Sequence, residues 1–297
     1  MDRYKELAKN IPWVSFGRET VASRIARSIV PIGFLPYEPS PYSDESASLY
    51  FEALDPEEYM MHIVGTAIQG AEGKLATCGH VVDELKRQPS NSYLLARTYR
   101  GNRVLCQPYA IPSAVPYYDP RTSQPNAAVD LSVLIVPVLR TDQHPYDIPS
   151  VKWADSSQVG IGDPVIVGGY PLGRDMFLNT KSNKGLVQPT FYSGIISAVI
   201  PAMEINETRL LQVSIPVAGG MSGGAVFNPD TGEVLGMITS CMTLNGIPLP
   251  MSYAIPSEVK APFIEVISFE ARIGEEWLRS RDVNSNSHHN KSTDSKA

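Results

Sequence analysis

A serine bounded by glycines is where chemistry first becomes legible from residue types alone. Val217 to Phe227 reads VAGGMSGGAVF; at its centre, Gly220-Met221-Ser222-Gly223-Gly224, glycine stands two places before Ser222 and at both places after it. A serine hydroxyl is a weak nucleophile at neutral pH and needs a neighbouring base to take its proton. It also needs backbone N–H groups aimed where negative charge develops. Glycine tolerates positive φ and carries no Cβ, so such a turn allows both a sharp bend and a close approach of substrate. Ser222 is therefore a candidate nucleophile, and the N–H groups of Gly220 and Ser222 are a candidate oxyanion hole. An ordinary glycine-rich turn between two strands is the plainer alternative, and this stretch alone does not separate the two.

The base must be a histidine, held in one tautomer by an acid. Of five histidines, His288 and His289 lie in a polar tail, His62 opens a strand-like run and His144 precedes a proline in a polar segment. His80 sits on a turn directly after an apolar run, in Leu75-Ala76-Thr77-Cys78-Gly79-His80-Val81. For the acid, Asp130 heads the apolar run Leu131 to Val138, which would fix a carboxylate at a strand edge, whereas Asp119, Asp142 and Asp147 fall in loops. Alone, His80 reads as a structural histidine and Asp130 as a strand-capping carboxylate. Together with Ser222 they follow the order His, Asp, Ser, one of the convergent orders of the serine triad.

On these blocks the chain resembles the trypsin/chymotrypsin-like serine proteases, and within them the HtrA/Deg-like branch. Gly162-Asp163-Pro164-Val165 through Gly169-Tyr170-Pro171-Leu172-Gly173 is similar to that branch's opening of the second barrel. Gly194-Ile195-Ile196-Ser197-Ala198 and Tyr253-Ala254-Ile255-Pro256 match two of its later strands. The resemblance runs from about Met61 to Ser257. It implies an all-β fold of two six-stranded antiparallel β-barrels (chymotrypsin-like), with His80 as general base, Asp130 orienting it and Ser222 forming an acyl-enzyme. It further implies that Thr239 supports Asp130 and that Thr239, Ser240 and Cys241 line the substrate side of the cleft.

Two departures carry expectations. Met221 stands where the zymogen-activated digestive enzymes have Asp, so activation by a freed N-terminus is not expected. The stretch after Pro256 is too short for the PDZ module common in Deg-like proteases, so none is expected. No acidic residue lies between Leu211 and Met221, which disfavours a lysine or arginine at P1 and points to a small or medium apolar residue.

The elements that would position these groups follow from pattern. Twenty-five prolines and twenty-two glycines punctuate short β-rich runs, the texture of an all-β protein with many turns. Strands are predicted at 61–68, 74–77, 93–98, 103–107, 131–138, 164–169, 190–199, 209–215, 224–227, 234–239 and 252–255, with a helical turn at 81–87. Residues 1–57 read as a partly helical N-terminal extension and proline-rich connector, 58–150 as the first barrel, 151–265 as the second, and 266–297 as a C-terminal helix and disordered tail. In the extension, Val21, Ile25 and Ile29 form a helical apolar stripe. The plain reading is a helix docked on the main body, and docking on a membrane surface or a protein partner is the alternative.

Composition narrows the rest. A net charge of −6 gives no basic field for nucleic acid, and no run of eighteen apolar residues offers a membrane span. No metal-ligand spacing or phosphate loop is present, so neither metal nor cofactor is expected. The three cysteines, Cys78, Cys106 and Cys241, suggest no disulfide framework, and no clear leader precedes them. The expected compartment is therefore the cytoplasm. The expected activity is a serine endopeptidase acting on polypeptide substrates; the alternative is a catalytically silent module of the same fold that binds polypeptide or scaffolds a complex.

Overall fold

Apolar runs of four to eleven residues, alternating with turn residues, fold into antiparallel sheet as the pattern predicts. The computed structural model describes residues 20–34, 51–52, 62–71, 74–87, 94–100, 103–109, 114–119, 124–126, 128–135, 150–172, 189–203 and 208–259. The C-terminal helix and tail predicted at 266–297 lie outside them, as do residues 136–149 and 173–188.

The first half opens with a short helix, α1 (Val21–Ile25), capped by Thr20, whose side chain accepts from the Ser23 N–H. Strands β1 (Ile29–Phe34), β2 (Phe51–Glu52), β3 (His62–Ala71) and β4 (Lys74–Thr77) follow, then helix α2 (Gly79–Lys86). Next come β5 (Leu94–Arg100), β6 (Arg103–Tyr109), β7 (Ala114–Pro116), a small pair β8 (Tyr118–Asp119) and β9 (Gln124–Pro125), and β10 (Ser132–Ile135). Apart from the β8–β9 pair they form one eight-stranded sheet in the order β2-β6-β5-β1-β3-β4-β10-β7.

The second half contains β11 (Pro164–Gly169), β12 (Thr190–Ile200), β13 (Leu210–Val213), β14 (Ala225–Phe227), β15 (Val234–Leu244) and β16 (Ile247–Pro256). These close into the predicted six-stranded barrel in the order β11-β12-β13-β16-β15-β14. Residues 257–259 start a helix where the described residues end.

Three local findings differ from expectation. Residues 29–34, assigned to the extension ahead of the barrels, are strand β1, paired antiparallel with β3 and with β5. The sheet accommodates Pro31 because β5 pairs with β1 only at Ile32 and Gly33, so one flank at the proline carries no ladder to interrupt. The proline-rich loop after β6 includes β7, whose Pro116 lies on the sheet's outermost strand, where a missing N–H costs least. The third is that β15 and β16 run past their predicted ends to meet at Asn245 (φ 51°) and Gly246 (φ 78°). Positive φ at both central residues is what a two-residue type I′ hairpin turn requires.

Among the described residues, two apolar clusters fill the interior. The second barrel is filled by Val165, Val167, Ile196, Leu211, Val213 and their neighbours. The other cluster joins the halves, packing Ile29, Ile32, Ile68 and Leu75 with Tyr170, Phe227 and Met237. Tyr170 also donates its hydroxyl across the junction to the Ile29 carbonyl at 3.1 Å. The chain between the halves is tied to both, since the Val151 N–H donates to Gln69 and the Ala154 N–H to Val234. Helix α1 docks on the turn at Gly232, whose missing Cβ leaves room for Val21 and Ile25, as the apolar stripe predicts.

Candidate active site

β4 ends at Thr77 and Cys78 turns the chain into α2 with extended backbone and no side-chain cap of its own. Asp130 supplies that cap from outside: its Oδ1 accepts from the His80 backbone N–H at 2.9 Å. A carboxylate at a helix N-terminus is favoured by the unpaired N–H groups and by the helix dipole. The other oxygen, Oδ2, lies 2.7 Å from His80 Nδ1, so one carboxylate fixes both the backbone and the ring of the same residue. Asp130 is itself held just ahead of β10, in a turn where the Ala128 N–H donates to Asn126 Oδ1 and the Leu131 N–H to the Val129 carbonyl.

Thr239, in the middle of β15, completes the set around Asp130. Its hydroxyl donates to Asp130 Oδ2 at 2.5 Å. Its carbonyl accepts the Ser222 hydroxyl at 3.5 Å, the only hydrogen bond of Ser222 Oγ among the described residues. Ser240 and Cys241 follow on the same strand, paired with Tyr253 and Ser252 of β16.

The charges respond to this geometry. The hydrogen bond to Asp130 raises the His80 pKa above 6.5, overcoming partial burial, which acts the other way. Burial pushes the Asp130 carboxyl up, but the bonds from the His80 ring, Thr239 and the His80 backbone together outweigh it and leave the pKa below 3.8. A carboxylate thus stays ionised beside an imidazole that gains basicity from it, the pairing a general base needs.

The Ser222 turn is fixed peptide by peptide. In a trans peptide the C=O and N–H point to opposite sides, so each carbonyl's partner decides where the following N–H aims. The Gly219 carbonyl accepts from the Leu172 N–H at 2.6 Å and the Met221 carbonyl from the Gly224 N–H at 2.8 Å. These two bonds turn the N–H groups of Gly220 and Ser222 away from the protein, and neither has a protein acceptor among the described residues. The intervening N–H groups are used: Met221 donates to Ala218 and Gly223 to Ile238. Two N–H groups left open on one turn are what an oxyanion hole consists of. Gly220 and Gly223 both have φ near +90°, which explains glycine at both positions.

Met221 is fully buried in the second barrel's apolar cluster. Packing there anchors the turn without any carboxylate at this place. Thr66 was not foreseen; its signal is a hydroxyl in the otherwise apolar run Ile63 to Ile68. Its N–H donates to the Ser222 carbonyl at 2.8 Å. Tyr170 was read only as part of a barrel opening, yet its ring plugs the junction between the halves.

One group of atoms has the makings of a metal site. Ligand atoms of Cys78, His80 and Asp130 all lie within 4.8 Å of one another. They already serve one another and the fold: Nδ1 of His80 meets Asp130, and the Cys78 thiol donates to the Ile238 carbonyl at 3.2 Å. Among the described residues, no helix is long and apolar enough to cross a membrane.

Comparison with known proteins places the chain beside serine proteases. A periplasmic serine endoprotease, DegP-like, from Marinomonas sp. is 30% identical over 133 residues, 44% of this chain and 25% of the relative. The periplasmic serine endoprotease DegP of Salmonella typhimurium is 24% identical over 231 residues, 77% of this chain and 41% of its own length. The chain thus spans between a quarter and two fifths of these relatives. Among solved structures, the HtrA-type protease AlgW with a tripeptide superposes with TM-score 0.51 at 19% identity, covering 84% of this chain and 61% of that one. The same protease with a decapeptide gives 0.52 at 20%, covering 81% and 64%.

The relatives' names correct the expected cytoplasmic location, since they are periplasmic proteins. The inference from cysteines fails in direction. Disulfides require an oxidising compartment, but such a compartment does not require disulfides, and a thiol as buried as that of Cys78 is shielded there. The trypsin-like peptidase domain matches residues 65–237, more than half of the sequence, and with HtrA-type proteases as its structural neighbours the chain belongs to the trypsin-like peptidase family.

Proposed function

We propose that this chain is a serine endopeptidase that hydrolyses peptide bonds through Ser222, His80 and Asp130. Ser222 attacks the scissile carbonyl while His80 Nε2 takes its proton, then returns it to the leaving amine. Asp130 holds the imidazole by Nδ1 and stabilises the imidazolium. The Gly220 and Ser222 N–H groups receive the oxyanion, and water repeats the sequence on the acyl-enzyme. The observation that carries this reading is the pair of open N–H groups at Gly220 and Ser222, on a turn whose Met221, Gly223 and Gly224 N–H groups are bonded. Resting Ser222 Oγ rests on the Thr239 carbonyl rather than on His80, and such bonds tighten when substrate binds.

Thr239, Ser240 and Cys241 are the strand on which substrate backbone pairs, and the absence of an acid from 211–221 supports a small or medium apolar P1 residue. Polypeptides are the substrates, and residues ahead of β1 are where a protein partner would dock. Cleavage of unfolded casein and of a P1-randomised peptide library tests the proposal. Wild type should cleave after small apolar residues and Ser222→Ala should cleave nothing. Dominant cleavage after Lys or Arg would overturn the specificity. A folded wild type that binds the peptides without cutting them would favour the silent polypeptide-binding module.

A further inference from the structure

Glycine at 220 permits the turn but does not enforce it, because a glycine backbone at φ +90° has many alternatives of similar energy. Something outside the turn must hold the two peptide planes that meet there. The first plane is held by the Leu172 N–H on the Gly219 carbonyl. The second is held from the other half of the molecule: the Thr66 hydroxyl, on β3, donates to the Gly220 carbonyl at 2.7 Å.

Thr66 is built into this place. It is fully buried, and its Oγ1 also accepts from the Tyr170 N–H at 3.1 Å. The hydroxyl proton is therefore committed to Gly220. Its backbone N–H takes the Ser222 carbonyl, and its own carbonyl takes the Thr77 hydroxyl at 2.8 Å. One residue thus ties the oxyanion turn, the β11 exit at Tyr170 and the strand leading to His80.

Resting on the peptidase reading above, we propose that Thr66 is a positioning residue for the reaction: by fixing the Gly220 carbonyl it holds the second of the two planes that meet at the Gly220 Cα, and so keeps that Cα, and the Gly220 N–H attached to it, in place at the oxyanion hole. Without the hydroxyl the Gly220–Met221 peptide is free to turn about the Gly220 ψ, the glycine Cα shifts with it, and the N–H on that Cα is displaced from the developing charge. The ground state, whose carbonyl leans less on that donor, is little affected.

The test compares Thr66→Val, Thr66→Ser and wild type in three measurements: kcat and KM on a cleavable peptide, inhibition by a peptide boronic acid whose tetrahedral adduct fills the hole, and thermal melting. Deleting an oxyanion donor outright costs roughly 100- to 1,000-fold in kcat; misaiming one should cost about 10- to 100-fold. The expected result is that loss in Thr66→Val, with boronic acid affinity falling in parallel and KM within about threefold. Thr66→Ser should stay within about threefold throughout. If Thr66→Val does not fold, Thr66→Ala and Thr66→Ser, which differ only by the hydroxyl, replace it, and only the serine variant should keep activity. Active wild type with an equally active valine or alanine variant overturns the role of Thr66. So does a loss that appears in melting or KM but not in boronic acid affinity. A folded wild type inert to both peptide and boronic acid overturns the peptidase reading itself, and this proposal with it.

Discussion

Gly223 sits where the two halves of the protein touch, and adding one methyl group there probes the whole arrangement. A Cβ on Gly223 would fall 1.8 Å from the Thr66 carbonyl oxygen and 2.7 Å from Thr77 Oγ1, at φ +90°. Backbone oxygen cannot give way as a flexible side-chain end can, so the strand or the turn must shift. Left-handed strain costs about 1–2 kcal/mol, overpacking about 1–3 kcal/mol, and a lost Thr77 to Thr66 hydrogen bond about 1 kcal/mol. Less roughly 0.4–1 kcal/mol for the stiffer unfolded chain, Gly223→Ala should lose about 3–5 kcal/mol, or roughly 10 °C at about 2–4 °C per kcal/mol for a body of this size. Gly162 is the matched control: its φ is +97° and nothing lies within 4 Å of its Cβ position. Gly162→Ala bears the strain alone, about 1 kcal/mol net. Because a 1 Å displacement of a catalytic group can cost about 100-fold, Gly223→Ala should also acylate at least that much more slowly, while Gly162→Ala acylates normally. Calorimetry and stopped-flow acylation read both effects. Equal melting temperatures and equal acylation rates in the two variants would refute the packing of Thr66 against the turn.

Three further outcomes follow from the site. His80 acts in its neutral form, so kcat/KM should rise with pH through a midpoint above 6.5, the direction in which Asp130 moves it; a midpoint at or below 6.5, or a rate flat to pH 4, would count against His80 as base. The same bond has opposite consequences for stability. The His80 contribution is present below pH 6.5 and fades as pH rises through its raised pKa. The Asp130 contribution is present above pH 3.8 and fades as acid reaches its lowered pKa. Asp130→Asn should reduce kcat by about four decades, as in enzymes of this fold, and bring the pH midpoint down; a loss under tenfold would mean another acid serves. Thr239→Val removes one hydrogen bond to a partly exposed carboxylate and should cost about tenfold in kcat, the low end for a bond to a charged group; unchanged kinetics would show that the hydroxyl has no part in holding Asp130.

The halves of the site differ in how plainly the sequence spelled them. His80 and Asp130 lie 50 positions apart in the chain, yet each sits at the end of an apolar strand, and β4 and β10 pair side by side; strand ends that neighbour in a sheet bring their next residues together. Ser222 was legible through its glycines. Thr66 was not, because its role depends on tertiary partners, Gly220 and Tyr170, more than a hundred positions away. Strand β1 was hidden by Pro31 and by the helical period of Val21, Ile25 and Ile29, which continues past the helix's actual end. The long β15–β16 hairpin did carry a signal, the Asn245-Gly246 pair between apolar runs, which is among the strongest hairpin markers. The compartment was misjudged because cysteine count constrains it in one direction only.

Fluorophosphonate labelling of the folded protein, with the adduct mapped by peptide mass, asks whether Ser222 is an activated nucleophile held beside a base and an oxyanion hole. One equivalent should attach at Ser222, at a rate that falls on acidification, with none in Ser222→Ala and very little in His80→Ala. Folded protein that takes up no label, or takes it up on another residue, would contradict the chemistry assigned to this turn.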